Sequence, residues 1–167
     1  MDPMESLAEA LERGDDAAVR EGTQAAIRAG RAPASILNEG LLAGMRVVGE
    51  RFRTHQIFLP EVLLAARAMY AGLDLLKPLL VRDNVPMLGK VVIGTIRGDL
   101  HDIGKNLVGM MLEGAGFEVI DLGKDVPPAH FVDTAIEQEA PVIGLSALLT
   151  TTMVGMAEVV EILRERG

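Results

Sequence analysis

The chain has 167 residues, 49% of them hydrophobic, and a mean hydropathy of +0.28, so it is long and apolar enough to build a packed core. Its formal net charge is −8 and its aromatic residues are four Phe and one Tyr, which makes nucleic acid an unfavourable partner, because the surface repels phosphates and offers few rings for base stacking. The absence of cysteine excludes disulfides, thiolate metal sites and a nucleophilic cysteine.

The amino terminus and the apolar runs indicate a cytoplasmic protein that does not enter a membrane. The opening stretch "MDPMESLAEALERGD" is acidic and lacks the basic start and apolar core of a secretory signal. Uninterrupted apolar runs are far shorter than the roughly 20 residues that a membrane-spanning helix needs. We therefore expect the hydrophobic residues to pack inside the protein.

The first half of the chain places its apolar residues at helical spacing. The first two helices are predicted to end at Gly14 and Gly30, because glycine readily adopts the left-handed conformation common at helix C-termini. Pro33 and Pro60 suit the first turns of the third and fourth helices. The pattern predicts a four-helix bundle domain over residues 1–84.

After a predicted linker, "VRDNVPMLGK" at residues 81–90, the pattern changes to alternating strands and helices. The β-branched runs "KVVIGTI", "FEVIDLG" and "PVIGLSAL" are separated by helical segments, which predicts a parallel sheet with right-handed crossovers. We expect an α/β domain over residues 88–167 with flavodoxin-like or Rossmann-like strand order 2-1-3. The chain ends before such a domain would be complete, so we expect a C-terminal truncation that leaves the third strand as an apolar edge.

The stretch "GDLHDIGKNLV", residues 98–108, follows the first predicted strand and contains His101 two residues after Asp99. This spacing lets one imidazole nitrogen donate to the carboxylate while the other faces a metal. The run "SALLTTTM", residues 146–153, follows the third strand and should face this loop. A single histidine cannot hold a bare metal ion by itself. It fits better as one additional ligand of a metal that is already bound by another group. The alternative for His101 is a surface or helix-capping residue.

Other readings of these motifs fit less well. A hydrolase using the pair His101 and Asp102 would need further ligands, and His55 and His130 stand in unpromising contexts. "GLSAL" misses the G-x-S-x-G nucleophile elbow, and the loop has neither a Walker A nor a G-x-G-x-x-G pattern. A response-regulator receiver would need an aspartate where Ser146 stands.

These motifs resemble those of the cobalamin-binding corrinoid proteins of methyltransferase systems, which are related to the corrinoid module of methionine synthase. The family pattern is D-x-H-x-x-G, 41 residues, S-x-L, a further 26 to 28 residues and G-G. Here Asp99, His101 and Gly104 are followed by 41 residues and then by Ser146 and Leu148. The G-G element would fall beyond the last residue. "VGERFRTHQIFLPEVLLAARAM" resembles the helical cap of the family, so the likeness spans about residues 33–167.

The resemblance implies a bound cobalamin whose own lower base is displaced from cobalt and replaced by His101. It implies that Asp99 hydrogen-bonds the imidazole and that Thr152 continues this relay. It further implies cofactor contacts from the motif residues and from cap residues over the upper corrin face: Asp99, His101, Asp102, Gly104, Ser146, Leu148, Thr150, Phe52, Leu59 and Val62. Helix N-capping remains open for the hydroxyl residues, and bundle core remains open for the cap residues, most of all for Val62.

The resemblance also implies a function. We expect a methyl carrier that is not an enzyme alone, with a substrate-specific methyltransferase, an acceptor methyltransferase using tetrahydrofolate or a thiol, and a reductive activase as partners. The cofactor would supply the chemistry, and the protein would supply coordination and shielding. The alternatives are a cobalamin-dependent regulator or sensor, and a helical scaffold that binds only protein.

Overall fold

The computed structural model describes residues 2–83 and 85–166, and the chain divides into two compact units, Met1–Pro86 and Met87–Gly167. The predicted end of the helical domain, Asn84, lies outside the described residues. Each unit has its own core, as expected for segments of about 80 residues that bury separate apolar surfaces.

The first unit is helical, as predicted. Its α-helices are α1 (Pro3–Glu12), α2 (Asp16–Arg28), α3 (Pro33–Ser35), α4 (Leu42–Arg53) and α5 (Leu59–Arg82). Asp2 and Asp15 cap α1 and α2 by accepting hydrogen bonds from backbone N–H groups of the first turn. The glycines after these helices, Gly14 and Gly30, have φ angles of 69° and 73°, so the predicted left-handed termini are confirmed.

A π-helical segment, Ile36–Leu41, joins α3 to α4 where one uninterrupted α-helix was predicted. The apolar spacing could not reveal it, since the buried side chains Ile36, Leu37 and Leu41 satisfy an α-helical pattern equally well. Gly40 lies in this segment, and a Cβ there would come within 2.6 Å of a Leu7 methyl group. Close packing of α1 on this segment therefore explains the glycine.

Helix α5 continues through Pro78 to Arg82, so the predicted linker at residues 81–90 begins too early. The first strand begins at Lys90, as predicted. The buried side chains Leu76 and Leu80 flank Pro78 and hold this last part of the helix on the core, despite the backbone hydrogen bond that proline removes.

The second unit has the predicted Rossmann-like order. Its elements are β1 (Lys90–Thr95), α6 (Ile103–Gly114), β2 (Glu118–Asp121), α7 (Pro128–Glu137), β3 (Val142–Ser146) and α8 (Val154–Arg166). The strands are parallel in the order β2-β1-β3, which confirms the prediction and makes β3 an edge strand. Phe131 of α7 packs against Gly94 of β1, where a Cβ would come within 2.6 Å of its ring, and this contact anchors the core of the unit.

Across the part of the chain that the structure describes, no helix has both the length and the apolar character needed to cross a membrane.

Candidate functional site

The loops that follow β1 and β3 meet at the C-terminal edge of the sheet. The strands run side by side to the pair Thr95 and Ser146, and the backbone N–H of Ile96 donates to the carbonyl of Ser146 at 2.9 Å. Gly98, with φ 84°, then turns the first loop back over the sheet. The predicted juxtaposition of the two loops is confirmed, and it lies where open α/β sheets bind ligands.

Asp99 holds the two loops together. Its side chain is fully buried, and its Oδ1 atom faces two donors of His101, the backbone N–H at 3.0 Å and the imidazole Nδ1 at 2.7 Å. Its Oδ2 atom accepts from the backbone N–H groups of Leu148 at 2.8 Å and Leu149 at 3.2 Å, and from the Thr152 hydroxyl at 2.7 Å. A buried carboxylate is tolerated because both oxygens are hydrogen-bonded.

These donors keep Asp99 ionised. The backbone N–H of His101 is the largest cause that holds the pKa of the Asp99 carboxyl far below its usual range, and the Thr152 hydroxyl is the next. Burial acts in the opposite direction and is outweighed. The carboxylate is therefore a permanent hydrogen-bond acceptor at any ordinary pH.

An ionised Asp99 assigns the tautomer of His101. Because the carboxylate can only accept, Nδ1 carries the proton, and in the neutral imidazole Nε2 then presents its lone pair. The side chain is 53% exposed, and the described residues provide no hydrogen-bond partner for Nε2. Thr95 supports the loop from beneath, where its hydroxyl lies 3.4 Å from the carbonyl oxygen of His101. The result is an oriented imidazole with a free basic nitrogen.

Thr152 touches this pair as predicted, but its relay function stays a prediction. Its hydroxyl has one proton and lies 2.7 Å from Asp99 Oδ2 and 2.8 Å from the carbonyl of Leu149. The ionised acceptor makes the stronger hydrogen bond. The loop containing Thr152 ends where α8 begins at Val154.

The other predicted residues of this unit lie in the loops and at the element ends of this sheet edge, and they make no hydrogen bond to the imidazole. Asp102 is the N-cap residue of α6, but its side chain makes no capping bond. A Cβ at Gly104 would meet no atom within 4 Å, so the surface above it is open. The side chains of Ser146 and Thr150 have no hydrogen bond among the described residues, and Leu148 is exposed. Their cofactor contacts remain predictions.

Phe52, Leu59 and Val62 belong to the helical unit and do not share one environment. Phe52 near the end of α4 and Leu59 at the start of α5 are half-buried, whereas Val62 is fully buried. The burial of Val62 is what a bundle core residue shows. A capping function for these residues is untested by this placement.

Sequence reasoning missed several residues around the loop. Leu100 and Ile103 are strongly exposed apolar side chains that flank His101 in the chain. Asp125 accepts a hydrogen bond from the backbone N–H of Gly98 at 2.8 Å. The signal for these residues was weak, because exposed apolar side chains and aspartates in turns are common in any loop.

An ion pair between a buried lysine and a partly exposed aspartate lies beside the site and was also missed. Lys105 in the first turn of α6 is 3% exposed, and its ammonium lies 2.6 Å from Oδ1 of Asp121 at the end of β2. The Asp121 side chain is 44% exposed and also accepts from the backbone N–H of Gly123. The pair ties the start of α6, and with it the end of the His101 loop, to the sheet.

The unequal burial of this pair predicts unequal mutational costs. Asp121→Ala leaves a buried ammonium without its partner and should lower the free energy of unfolding by about 2–3 kcal/mol. Lys105→Met leaves a carboxylate that water can reach and should cost about 1 kcal/mol or less. Urea unfolding of both variants measures the difference. Equal costs, or a larger cost for Lys105→Met, would contradict the asymmetry.

The donor set does not fit a bare metal ion. Among the described residues, no group of three or more His, Asp or Glu side chains is placed to hold one. A lone imidazole nitrogen next to exposed Leu100, Ile103 and Leu148, with an open face at Gly104, instead fits a flat apolar macrocycle that already holds its metal.

Comparison with known sequences gives two family-profile matches along the chain and a set of similar proteins. Family profiles described as B12 binding domains match residues 4–77 and 89–167. Dimethylamine corrinoid protein 1 of Methanosarcina acetivorans is 49% identical over 136 residues, which cover 81% of this chain and 64% of that protein. Trimethylamine corrinoid protein 1 of Methanosarcina mazei is 46% identical over 155 residues, which cover 92% of this chain and 72% of that protein. The chain thus spans less than two thirds of the dimethylamine relative.

Solved structures give the same result. A chain of the methanol:cobalamin methyltransferase complex MtaBC from Methanosarcina barkeri matches with a TM-score of 0.90 and 36% identity, over 99% of this chain and 64% of that chain. A cobalamin-binding protein from Desulfitobacterium hafniense matches with a TM-score of 0.74 and 36% identity, over 98% of this chain and 78% of that chain.

The fold and the site define an α/β protein with a helical domain, a Rossmann-like domain and one carboxylate-held imidazole at the ligand-binding edge of its sheet. The cofactor of proteins that share these domains is a corrinoid. The chain belongs to the family of B12-binding corrinoid proteins.

Proposed function

We propose that this chain is a methyl carrier that presents a protein-bound corrinoid to two methyltransferases in turn. The observation that carries the proposal is the Asp99–His101 pair, which leaves one oriented imidazole nitrogen free at the ligand-binding edge of the sheet. When bound, the corrinoid supplies a cobalt centre that accepts a methyl group and gives it up again.

His101 would act as the lower axial ligand through Nε2. Asp99 would keep the proton on Nδ1 and so maintain the basicity of the coordinating nitrogen. Thr152 and the backbone amides of Leu148 and Leu149 would hold Asp99 in place.

The residues around the pair would bind the rest of the cofactor. Gly104 leaves room for close approach to the start of α6, and Leu148 offers an apolar contact. The hydroxyls of Ser146 and Thr150 have no protein partner among the described residues, so they are available to a polar part of the cofactor. Asp102 has an uncommitted carboxylate at the same edge.

The names of the relatives support the choice of the partner that loads the carrier. Two of them are named for dimethylamine and trimethylamine, and a solved relative belongs to a methanol:cobalamin methyltransferase complex. We infer that a methyltransferase specific for a methylated amine or methanol loads the carrier. A second methyltransferase, with tetrahydrofolate or a thiol as acceptor, would unload it, and a reductive activase would restore cobalt after oxidation.

A labelled methyl donor tests this proposal. The chain is loaded with hydroxocobalamin, reduced with titanium(III) citrate and mixed with isotope-labelled dimethylamine, trimethylamine or methanol and the matching methyltransferase. We expect label on the protein-bound corrinoid and its release by light. A chain that binds cobalamin but takes no label from any of the three donors is not a methyl carrier of this kind. The chain without cobalamin is the control.

The cap residues are a separate part of the proposal. Phe52 and Leu59 flank the connection between α4 and α5, and each keeps part of its side chain accessible. We propose that they cover the upper face of the bound corrin and exclude water and oxidants. Val62 was predicted to join them, but its full burial favours a contribution to bundle packing.

If Phe52 and Leu59 shield the corrin and Val62 packs in the bundle core, substitutions at these positions should have different effects. Phe52→Ala and Leu59→Ala should speed photolysis or oxidation of bound methylcobalamin by about tenfold while changing its affinity little, since the loss of shielding acts on cobalt. Val62→Ala should lower the free energy of unfolding by about 1–3 kcal/mol through loss of buried methyl groups. Leu63→Ala, an exposed change on the same helix, is the matched control. Unchanged photolysis in both cap variants would refute the cap.

A further inference from the structure

The loop after β2 contacts the His101 loop on the side opposite to β3. The carboxylate Oδ1 of Asp125 accepts a hydrogen bond from the backbone N–H of Gly98 at 2.8 Å. The backbone N–H of Asp125 donates to the carbonyl of Asp99 at 3.2 Å. Asp125 therefore contacts Gly98 through its side chain and Asp99 through its main chain.

Backbone hydrogen bonds to β1 hold the segment that contains Asp125. The backbone N–H of Val126 donates to the carbonyl of Thr95 at 2.9 Å, and the N–H of Thr95 donates to the carbonyl of Gly123 at 2.9 Å. Residues on both sides of Asp125 are thus fixed to β1. Asp125 itself has φ 58°, a left-handed conformation that aspartate tolerates better than most residues with a side chain.

The two loops brace the pair differently. From the β3 side, three donors fix the carboxylate oxygen Oδ2 of Asp99. From the β2 side, Asp125 makes hydrogen bonds to the backbone N–H of Gly98 and to the backbone carbonyl of Asp99. The direction of the His101 imidazole depends on both sets of contacts. The Asp99 carboxylate orients the ring, and the position of the Asp99 backbone determines the position of that carboxylate.

We propose that Asp125 is a positioning residue. Through Gly98 and Asp99 it sets the position of the His101 imidazole at the C-terminal edge of the sheet and the direction in which the ring points. This inference rests on the proposed axial function of His101, and it assigns Asp125 no contact with the cofactor. A purely structural turn would require only the left-handed backbone at position 125. The positioning function also requires the side-chain acceptor for Gly98.

Three substitutions separate these requirements. Asp125→Asn keeps an acceptor oxygen and a residue that adopts positive φ. Asp125→Gly keeps the backbone freedom and removes the acceptor, and Asp125→Ala removes both. Glu139→Gly is the matched control, because Glu139 also has positive φ (52°) and follows α7, where it makes no hydrogen bond to the His101 loop.

The first measurement needs no cofactor. In the chain without cobalamin, NMR gives the amide exchange rate of Gly98 and the imidazole nitrogen shifts of His101. We expect Asp125→Gly and Asp125→Ala to speed Gly98 exchange by about tenfold and to move the imidazole shifts toward those of an unrestrained ring. Asp125→Asn and Glu139→Gly should stay within about twofold of wild type. If Asp125→Gly leaves both signals unchanged, or lowers only the melting temperature, the positioning function is overturned.

The second measurement uses bound methylcobalamin. We expect Asp125→Gly to reduce the histidine-coordinated fraction in the visible spectrum several-fold and Asp125→Asn to restore most of it. If the wild-type chain itself shows no histidine-coordinated spectrum, the proposed function fails, while the measurement without cofactor still decides whether Asp125 orients the loop. If wild type coordinates and Asp125→Gly coordinates equally, only the positioning function is lost.

Discussion

Replacing Asp99 with asparagine is expected to lower the melting temperature of the Rossmann-like unit by roughly 10–15 °C and to loosen both loops at the sheet edge. An asparagine has one acceptor oxygen, and the site has donors on both sides. With the oxygen toward Leu148, Leu149 and Thr152, the amide NH₂ would face the backbone N–H of His101. Either orientation leaves buried donors unpaired, so an isosteric change is costly here.

The pH dependence of this loss has a definite sign. The folded chain holds the pKa of Asp99 far below its usual value, so the stabilisation is complete above about pH 5, where the carboxylate is almost fully ionised in the folded and unfolded chain alike. It is lost as the pH falls below that value toward the folded pKa. The difference in melting temperature between wild type and Asp99→Asn should be constant from about pH 5 to 8 and should shrink in acid.

Thermal unfolding followed by circular dichroism at several pH values measures this effect. Asp102→Asn is the control, because Asp102 lies in the same loop and its side chain makes no capping hydrogen bond. We expect the control to melt close to wild type. A melting temperature for Asp99→Asn close to that of Asp102→Asn would show that the carboxylate does not hold the loops together.

Replacing His101 with alanine should have the largest effect on function and a small effect on folding. The side chain is half-exposed and leaves Asp99 with its other donors, so the melting temperature should fall by no more than a few degrees. Bound methylcobalamin should lose the histidine-coordinated spectrum and show the form without an axial base. Methyl transfer should fall by at least about tenfold, since the proposed axial ligand of cobalt is missing.

Chemical rescue sharpens this prediction. Free imidazole should restore the coordinated spectrum of His101→Ala, because the alanine leaves space for a small base beside the same loop. His130→Ala removes another exposed imidazole, on α7, and should resemble wild type in spectrum and rate. A His101→Ala chain with the wild-type spectrum would mean that another group coordinates cobalt.

The strand order and the contact between the two site loops were predictable because periodicity and topology determine them. Parallel β1 and β3 must end at the same edge, so residues 98–108 and 146–153 had to meet. The spacing of Asp99 and His101 likewise predicted their hydrogen bond, now at 2.7 Å.

The features that were missed depend on contacts that leave little trace in local sequence. Lys105 reads as an ordinary polar position of α6, and only the fold places Asp121 beside it. From sequence alone, Asp125 is an ordinary turn residue. Only the structure shows that its carboxylate accepts a hydrogen bond from the backbone N–H of Gly98. The π-helical segment Ile36–Leu41 satisfies the same apolar spacing as an α-helix. Long-range pairing and local backbone changes of this kind follow from packing rather than from periodicity.

The most direct test of the central claim is an electron paramagnetic resonance spectrum of cob(II)alamin bound to the chain after histidine has been labelled with ¹⁵N. A coordinating nitrogen splits the cobalt lines into triplets when it is ¹⁴N and into doublets when it is ¹⁵N. We predict that labelling converts triplets to doublets in the wild-type chain and in His130→Ala, and that His101→Ala shows neither histidine pattern. Triplets that persist after labelling would show that the base of the cofactor itself remains on cobalt and that His101 is not its ligand.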